Sequence, residues 1–367
     1  MIIEHVEVVH LAIPFKHHFT TSFGATNLHH TIILRAWSGG LIGYGEATPF
    51  HGPVYCSETN DSVYCMLRDF ILPGVIGKDY ADAPALMDAL RWIRGNQFAK
   101  SAVEIAFQDL LAQARGLPLH RYLGGTQVEV PVGVSIGIQD SVPELLDQIE
   151  HFRTEGYQRI KIKIQPGWDV DVVAAVRRTY PDLLLMVDAN SAYTLADADH
   201  LRRLDDYDLL MIEQPLGYDD IVDHACLQRQ LHTPICLDES IHSPDDARKA
   251  IDLGSCRIIN IKPGRVGGFL NSIRIHDIGV ANRIGLWIGC MLETGIGQAR
   301  KIELASLPGC NLPADMAPSN RYYVEDVVEP EIALTPRSTI AVSNAVGGSH
   351  RPIEARIAKY TQRRFAL

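Results

Sequence analysis

The pattern of apolar and polar positions changes once along the chain, near residue 130. Before that point, three runs rich in β-branched residues (IIEHVEVVHLAI, TIILRAWS and LIGYGEA) predict strands, and Gly39-Gly40 predicts a tight hairpin turn between the last two. Apolar residues three or four apart then predict three helices, over residues 57–76, 82–95 and 99–116. Strands followed by helices indicate an α+β unit, which we assign to residues 1–125 as a capping domain.

After residue 130, short apolar runs alternate with amphipathic stretches. We count eight such runs: VPVGVSIG, RIKIKI, LLLMVDAN, LLMIEQP, PICLDES, RIINIKP, LWIGCM and NLPADM. Strands that alternate with helices indicate βαβ units and a parallel sheet, and eight units indicate a closed (β/α)8, TIM-like barrel. We assign this α/β barrel to residues 126–317. Residues 318–367 hold no further βα unit, so we expect them to return to the capping domain.

Four of these runs end in a charged residue at a nearly constant interval. Asp188, Glu213, Asp238 and Lys262 end the third to sixth runs, spaced 25, 25 and 24 residues apart. One βα unit per step puts these side chains at one height, at the barrel mouth where active sites lie. Three converging carboxylates repel one another unless a cation neutralises them. Oxygen ligands suit a hard cation, so we predict Mg²⁺, with Mn²⁺ as the alternative.

The acids have a second interpretation. An Asp at a strand end often caps a helix or a loop, and Asn190, Ser191 and Ser240 could also act as caps. One such acid would favour that structural role. Three acids in phase with the barrel repeat favour a metal site.

The second run carries two lysines, Lys161 and Lys163, which lie two residues apart and therefore point to the same face of a strand. We place them inside the barrel, because a charged pair beneath the helix layer would be costly. Two close ammonium groups beside a bound cation lower each other's pKa, which suits a lysine base near neutral pH. Lys262, four strands further on, would face Lys163 across the barrel mouth.

These parts suit removal of a proton next to a carboxylate. A metal held by three carboxylates can bind a substrate carboxylate and stabilise the enediolate that forms when the α-proton leaves. Two active lysines would give racemisation or epimerisation, whereas one active lysine and a leaving group on the next carbon would give β-elimination. A catalytically dead barrel used only for binding is the alternative from another class, and the intact lysines and carboxylates disfavour it.

Six segments, in this order, resemble the enolase superfamily: RIKIKIQPGWDV, VDANSAYTLADA, IEQPL, TPICLDESI, NIKPGRVGG and MLETGIG. They are similar to the muconate-lactonising-enzyme subgroup, and within it to o-succinylbenzoate synthases of menaquinone synthesis that also act as N-succinylamino-acid (N-acylamino-acid) racemases. The resemblance implies that the three acids bind Mg²⁺. It implies that Lys163 is the base on one face and the acid for water loss. Lys262 would be the acid/base on the other face, or a stabilising cation, and Lys161 would tune Lys163.

The resemblance also implies a set of substrate contacts at strand ends and in two covering loops: Ser135, Asn190, Arg265, Cys290, Met291, Phe19, Phe50 and Tyr55. Arg265 matches a family position associated with racemase activity. Cys290 stands where relatives usually have a second glycine, so it would reshape the acyl pocket. Dipeptide epimerases and muconate-type cycloisomerases are the alternatives within the superfamily. The first usually carry Asp-x-Asp on the eighth strand, where this chain has only Asp315.

The composition indicates which kinds of partner the protein binds and which it does not. The net charge of −10 argues against a nucleic-acid binder, which usually shows a basic face. Seven cysteines without a CxxC pair, and a start that lacks a signal-peptide pattern, indicate a reduced cytoplasmic protein. No run approaches the roughly 20 apolar residues that span a bilayer, so we expect no membrane partner. We expect a small-molecule carboxylate substrate and a homo-oligomer.

Overall fold

Strands and helices alternate between residues 133 and 305 in the computed structural model. The structure describes residues 1–21 and 24–367 and, of residues 17–21, 25 and 26, only the backbone. The strands are β1 (His5–Thr21), β2 (Gly24–Ser38), β3 (Leu41–Ala47), β4 (Glu129–Pro131), β5 (Gly133–Ile136), β6 (Arg159–Lys163), β7 (Leu184–Asp188), β8 (Ile212–Glu213), β9 (Ile235–Leu237), β10 (Ile258–Ile261), β11 (Gly285–Ile288), β12 (Val328–Glu329), β13 (Thr339–Ala341), β14 (Arg351–Pro352) and β15 (Thr361–Ala366).

The α-helices are α1 (Asn60–Met66), α2 (Leu72–Val75), α3 (Ala83–Ala89), α4 (Gln97–Ala114), α5 (Leu119–Tyr122), α6 (Val142–Thr154), α7 (Val170–Thr179), α8 (Ala198–Leu201), α9 (Val222–Gln228), α10 (Pro244–Leu253), α11 (Pro263–Val266), α12 (Phe269–Ala281), α13 (Gly295–Ala305) and α14 (Glu354–Tyr360). A π-helical turn (Leu67–Ile71) joins α1 to α2, so the predicted first helix is present but interrupted. Two 3₁₀ segments (Leu195–Asp197 and Arg202–Tyr207) flank α8.

The capping domain is built on an antiparallel sheet in the order β15-β1-β2-β3. Gly39 and Gly40 have φ values of 55° and 80°, the positive values that a tight hairpin turn requires, so the predicted hairpin is confirmed. Helix α4 lies so close to β3 that a Cβ on Gly45 would come within 2.0 Å of the Ala102 carbonyl oxygen. Buried Glu104 on α4 accepts hydrogen bonds from the first amides of α12 and thereby attaches the capping domain to the barrel.

The barrel contains seven parallel strands in sequential order, β5 to β11. The predicted eighth run is not a strand in the structure and forms a single bridge, Val132 to Ala314. Its backbone nevertheless connects the two edges, because the Ala314 amide donates to Pro131 (2.9 Å) and the Asp315 amide to Ile288 (3.0 Å). Pro313 lacks an amide proton, which limits the length of this last ladder. The predicted barrel with a capping domain is confirmed, with a bridge in place of the eighth strand.

The C-terminal segment contacts both parts of the molecule. Strand β15 pairs with β1, with Ala366 opposite Glu7, whereas β13 pairs with β4 at the entry to the barrel. The exact domain boundaries stay a prediction. Within the described residues, no helix is both long and apolar enough to cross a membrane.

Candidate active site

Strand register places the predicted charged residues at one level of the barrel. Lys163 lies opposite Asp188, and Asp188 lies opposite Glu213 on the next strand. Glu213 lies opposite Cys236, so Asp238 follows just beyond the end of β9. The regular spacing in the sequence therefore corresponds to neighbouring positions at the carboxyl ends of parallel strands, where barrel active sites form.

Lys161 and Lys163 both point into the barrel and are buried. The Lys163 Nζ donates to Asp188 Oδ2 (2.6 Å) and to Asn190 Oδ1 (2.6 Å). The Lys161 Nζ lies 3.0 Å from Glu213 Oε2 and 3.4 Å from Asp188 Oδ2. It also forms an ion pair with Asp315. The two lysines thus share Asp188, and Lys161 has the larger number of acidic partners.

Lys262 occupies the opposite side, after β10, and its surroundings come from both parts of the chain. Its Nζ donates to Asp238 Oδ2 (2.7 Å) and lies 3.3 Å from the hydroxyl of Tyr55, a capping-domain residue. Arg265 forms an ion pair with the other oxygen of Asp238 and donates to the Tyr55 hydroxyl (3.1 Å). Lys262 is therefore held between a barrel acid and a loop of the capping domain.

A cavity of about 50 Å³, which we call the reaction cavity, lies between the two lysines. Ten of the predicted site residues line it: Phe50, Tyr55, Ser135, Lys161, Lys163, Asp188, Asn190, Lys262, Cys290 and Met291. Leu292, Asp315 and Tyr322 complete its lining. The capping loop and the strand ends therefore enclose one site.

Two family models match almost the whole chain. The model of the mandelate racemase / muconate lactonizing enzyme N-terminal domain matches residues 3–124. The model of the enolase C-terminal domain-like family matches residues 144–354. The chain belongs to the enolase superfamily of enzymes. The resemblance of its six motifs to that superfamily is thereby confirmed.

Several relatives of this chain are named as o-succinylbenzoate synthases and others as N-succinylamino acid racemases. An o-succinylbenzoate synthase from Geobacillus kaustophilus is 48% identical over 361 residues, which is 98% of this chain and 96% of the relative. An N-succinylamino acid racemase from Thermus thermophilus is 48% identical over 329 residues, 90% of this chain and 89% of the relative. The crystal structure of an enolase-superfamily member from Listeria innocua superposes with a TM-score of 0.96 at 38% identity, covering 100% and 99% of the two chains.

Three predicted residues whose side chains the structure describes do not line the reaction cavity. Glu213 and Asp238 are fully buried beneath it and reach it through Lys161 and Lys262. Arg265 is 1% exposed and forms an ion pair with Asp238, and its predicted contact with substrate stays a prediction. The side chain of Phe19 lies outside the described residues, as do residues 22 and 23 of the covering loop that the resemblance implies around residues 19–24.

Sequence reasoning missed three residues of the superfamily site. In the sequence, Asp315 bears only on the dipeptide-epimerase alternative, yet in the structure it pairs with both Lys161 and Arg159. It lies near the end of the eighth run, NLPADM, so the strand-end argument that applies to the other acids also points to it. Leu292 and Tyr322 come from loops, for which the sequence carried no comparable signal.

Charge pairing governs the ionisation of the site. Burial alone would lower the pKa of Lys161, but Asp315, Glu213 and Asp188 outweigh it and raise that pKa. Burial likewise lowers the pKa of Lys262, but Tyr55 and the nearby acids, Glu239 first among them, outweigh burial and raise that pKa. In this arrangement the acidic groups around Lys161 and Lys262 outweigh burial. The expectation that two close lysines lower each other's pKa beside a bound cation stays a prediction. Burial would raise the pKa of Asp188, but Lys163 and Lys161 lower it to about 2.

Enzymes of this superfamily are generally dependent on a divalent metal, and the acids at the strand ends fit such an ion in chemistry. Asp188, Glu213 and Asp238 are at most 1% exposed and offer only carboxylate oxygens. In this arrangement lysine and arginine cations approach those oxygens. Among the described residues, no three His, Cys, Asp or Glu side chains already form a cluster that could hold a metal. The three carboxylates thus attract positively charged groups at the position where the metal ion is predicted to bind.

Proposed function

We propose that this protein removes a proton α to a carboxylate, as an o-succinylbenzoate synthase, an N-succinylamino-acid racemase, or both. The observation that carries the proposal is the placement of Lys163 and Lys262 on strands four positions apart, on opposite sides of one cavity. A planar carbon between them is accessible to one lysine Nζ on each face, one acting as the neutral amine that takes up a proton and the other as the ammonium group that delivers one. The two kinds of named relative support the two activities.

Asp188, Glu213 and Asp238 would hold the metal, for which we propose Mg²⁺, with Mn²⁺ as the alternative. Bound there, a divalent cation supplies positive charge against the substrate carboxylate as its α-proton leaves. Lys163 removes the α-proton from one face. In racemisation, Lys262 delivers a proton to the same carbon from the other face. In the synthase reaction, Lys163 passes its proton to the departing hydroxyl on the next carbon, and water leaves.

Lys161 has a different role in this scheme. Its three acidic partners keep it charged, so it serves as a fixed cation beside Lys163 and not as a base. Asp315 is engaged by Lys161 and Arg159 and is therefore poorly placed to bind the amino group of a dipeptide. This engagement supports succinylated substrates over dipeptides.

The test uses the purified protein with Mg²⁺ or Mn²⁺ and two substrates, N-succinyl-L-methionine in D₂O and the cyclohexadiene precursor of o-succinylbenzoate. We expect deuterium at the α-carbon with formation of the D-enantiomer, or formation of o-succinylbenzoate. EDTA should abolish the reaction and added metal should restore it. Turnover of Ala-Glu dipeptides or muconate with no turnover of either succinyl compound would refute the proposal, as would activity that survives EDTA.

A further inference from the structure

A second cavity adjoins the reaction cavity. Its volume is about 500 Å³, within the roughly 300–1,000 Å³ of small-molecule sites. This outer cavity lies between the β5–α6 connection, the middle of β1 and residues 318–322. Ser135 and Tyr322 line both cavities. A substrate in the reaction cavity can therefore extend past these two residues into the outer one.

One wall of the outer cavity presents an arginine, Arg321, for which the part of the chain that the structure describes offers no acidic partner. The Arg321 guanidinium lies over the ring of Phe152 at 4.5 Å and near that of Tyr322 at 5.2 Å. Its hydrogen bond to the Ser135 carbonyl is long, 3.4 Å, and its buried Nε has no partner among the described residues. Arg159, also buried, is by contrast paired with Asp315 at 2.7 Å. Arg321 thus retains donors that a ligand carboxylate could accept.

The remaining charges make this wall positive. Lys16 lies on the rim, and its Nζ donates to the Asn320 carbonyl at 2.6 Å without an acidic partner among the described residues. Glu155 is the acid in the cavity lining, and it lies 3.5 Å from His151. Arg321 and Lys16 thus lack acidic partners within the described ranges, and two such cations in a protein of net charge −10 indicate selection for an anion.

The passage between the cavities carries a further polar group. Ser135 is 8% exposed, and its buried Oγ has no hydrogen-bond partner among the described residues. A buried hydroxyl without a partner is unfavourable, so a polar group of a ligand would stabilise it. Ile136 and Ile138 line the adjoining part of the outer cavity and suit methylene groups.

We infer that Arg321, assisted by Lys16, binds the distal carboxylate of a substrate acyl chain whose other end lies in the reaction cavity. The inference rests on the proposed function and deepens it, because both proposed substrates carry a succinyl chain that ends in a carboxylate. Arg321 is then a specificity residue that selects acyl groups with an anionic end. Ser135 contacts the polar group in the middle of the chain.

The kinetic test compares N-succinyl-L-methionine with N-butyryl-L-methionine, in which a methyl group replaces the distal carboxylate. We expect the wild-type protein to prefer the succinyl compound in kcat/KM by roughly 10- to 100-fold, the range for a hydrogen-bonded charge. Arg321→Gln should reduce the preference to below about 3-fold by raising KM for the succinyl compound alone. Arg321→Lys, which keeps the charge but not the planar fork, should lie between them. Arg115→Gln, an arginine stacked on Tyr122 outside both cavities, is the matched control.

A binding test separates this inference from the proposed function. Calorimetry with Mg²⁺ compares o-succinylbenzoate with 2-butyrylbenzoate, and needs no turnover. Tighter binding of o-succinylbenzoate by the wild-type protein, lost in Arg321→Gln, supports the inference even if neither substrate reacts. Binding of neither ligand, or a preference that Arg321→Gln retains, overturns it. A result in which Arg321→Gln changes the preference for charged amino-acid side chains and leaves the preference for the succinyl group as it is would also overturn the inference. The outer cavity would then hold the amino-acid side chain.

Discussion

The two sides of the reaction cavity are built in different ways. On the Lys163 side, every ionic partner comes from the barrel: Asp188 lies in register on the next strand, and Asp315 follows the bridge that closes the barrel. On the Lys262 side, Asp238 also comes from the barrel, but the hydroxyl of Tyr55 comes from a capping-domain loop. One side depends on strand register alone, whereas the other also depends on how the two domains pack.

This difference has a chemical consequence. The Lys163 side should keep its geometry as long as the barrel is folded. The Lys262 side should keep its geometry only while the capping loop is in place. We therefore expect reactions at the two faces of a substrate to respond differently to changes in the capping domain.

The largest effect should come from removing each lysine separately. Lys163→Ala and Lys262→Ala should each lose about 10²- to 10⁴-fold in α-proton exchange in D₂O, each for the opposite enantiomer of an N-succinylamino acid, because each lysine serves one face. Exchange is measured by NMR, with circular dichroism to check the fold. Wild-type exchange of both enantiomers in either variant would refute the assignment of that lysine.

The next effect concerns the barrel side alone. Asp315→Asn removes one acidic partner from the buried Lys161 and Arg159. We expect the free energy of unfolding, measured by urea titration, to fall by about 3–5 kcal/mol. Glu150→Gln, which breaks the exposed pair with Arg153, is the control and should cost about 0–1 kcal/mol. Equal losses in the two variants would show that Asp315 has no special role in the barrel.

A smaller effect should separate the two sides directly. Tyr55→Phe keeps the ring but removes the hydroxyl near Lys262 and Arg265. We expect kcat to fall about 10-fold, as for a hydrogen bond to a charged group, for the enantiomer whose proton Lys262 removes. Exchange at the Lys163 face should be unchanged. Tyr64→Phe, on α1 against Phe365, is the control. An equal loss at both faces would contradict the difference between the sides.

The smallest effect concerns the stability of the capping side in acid. Burial lowers the pKa of His29 to about 3, and its ring lies 5.6 Å from that of Phe15 and 5.9 Å from that of Tyr323. Below about pH 6.5, His29 is protonated in the unfolded chain but stays neutral in the folded protein. The stability that depends on His29 is therefore fully present above that pH and falls as the pH drops towards 3.

The variant His29→Phe keeps an aromatic ring at this position and cannot take up the proton. At pH 5 the wild-type protein should have lost about 1–2 kcal/mol more free energy of unfolding, relative to pH 7.5, than His29→Phe. Urea titrations at the two pH values measure this difference. Parallel losses in the two proteins would remove His29 as a cause of acid sensitivity.

Local pattern allowed much of this architecture to be predicted. Gly39-Gly40 indicated the hairpin because only a few residue types accept two positive φ values in sequence. The repeat of about 25 residues indicated that Asp188 and Glu213 lie in register, which the strand pairing shows. The eighth strand was over-predicted, because an apolar run does not reveal that Pro313 limits the ladder. The pairing of β15 with β1 joins residues 350 or more positions apart, for which no local pattern exists.

By itself, the sequence determined which acids and lysines stand at the barrel mouth, since alternation along a strand and the length of a βα unit are local properties of the chain. Only the tertiary structure decided their partners. In the structure, Lys161 pairs with Asp315, and Tyr55 lies beside Lys262. Arg265 pairs with Asp238, and Arg321 lines the outer cavity. These contacts depend on how loops and domains pack across long stretches of sequence, and side-chain periodicity carries no information about that packing.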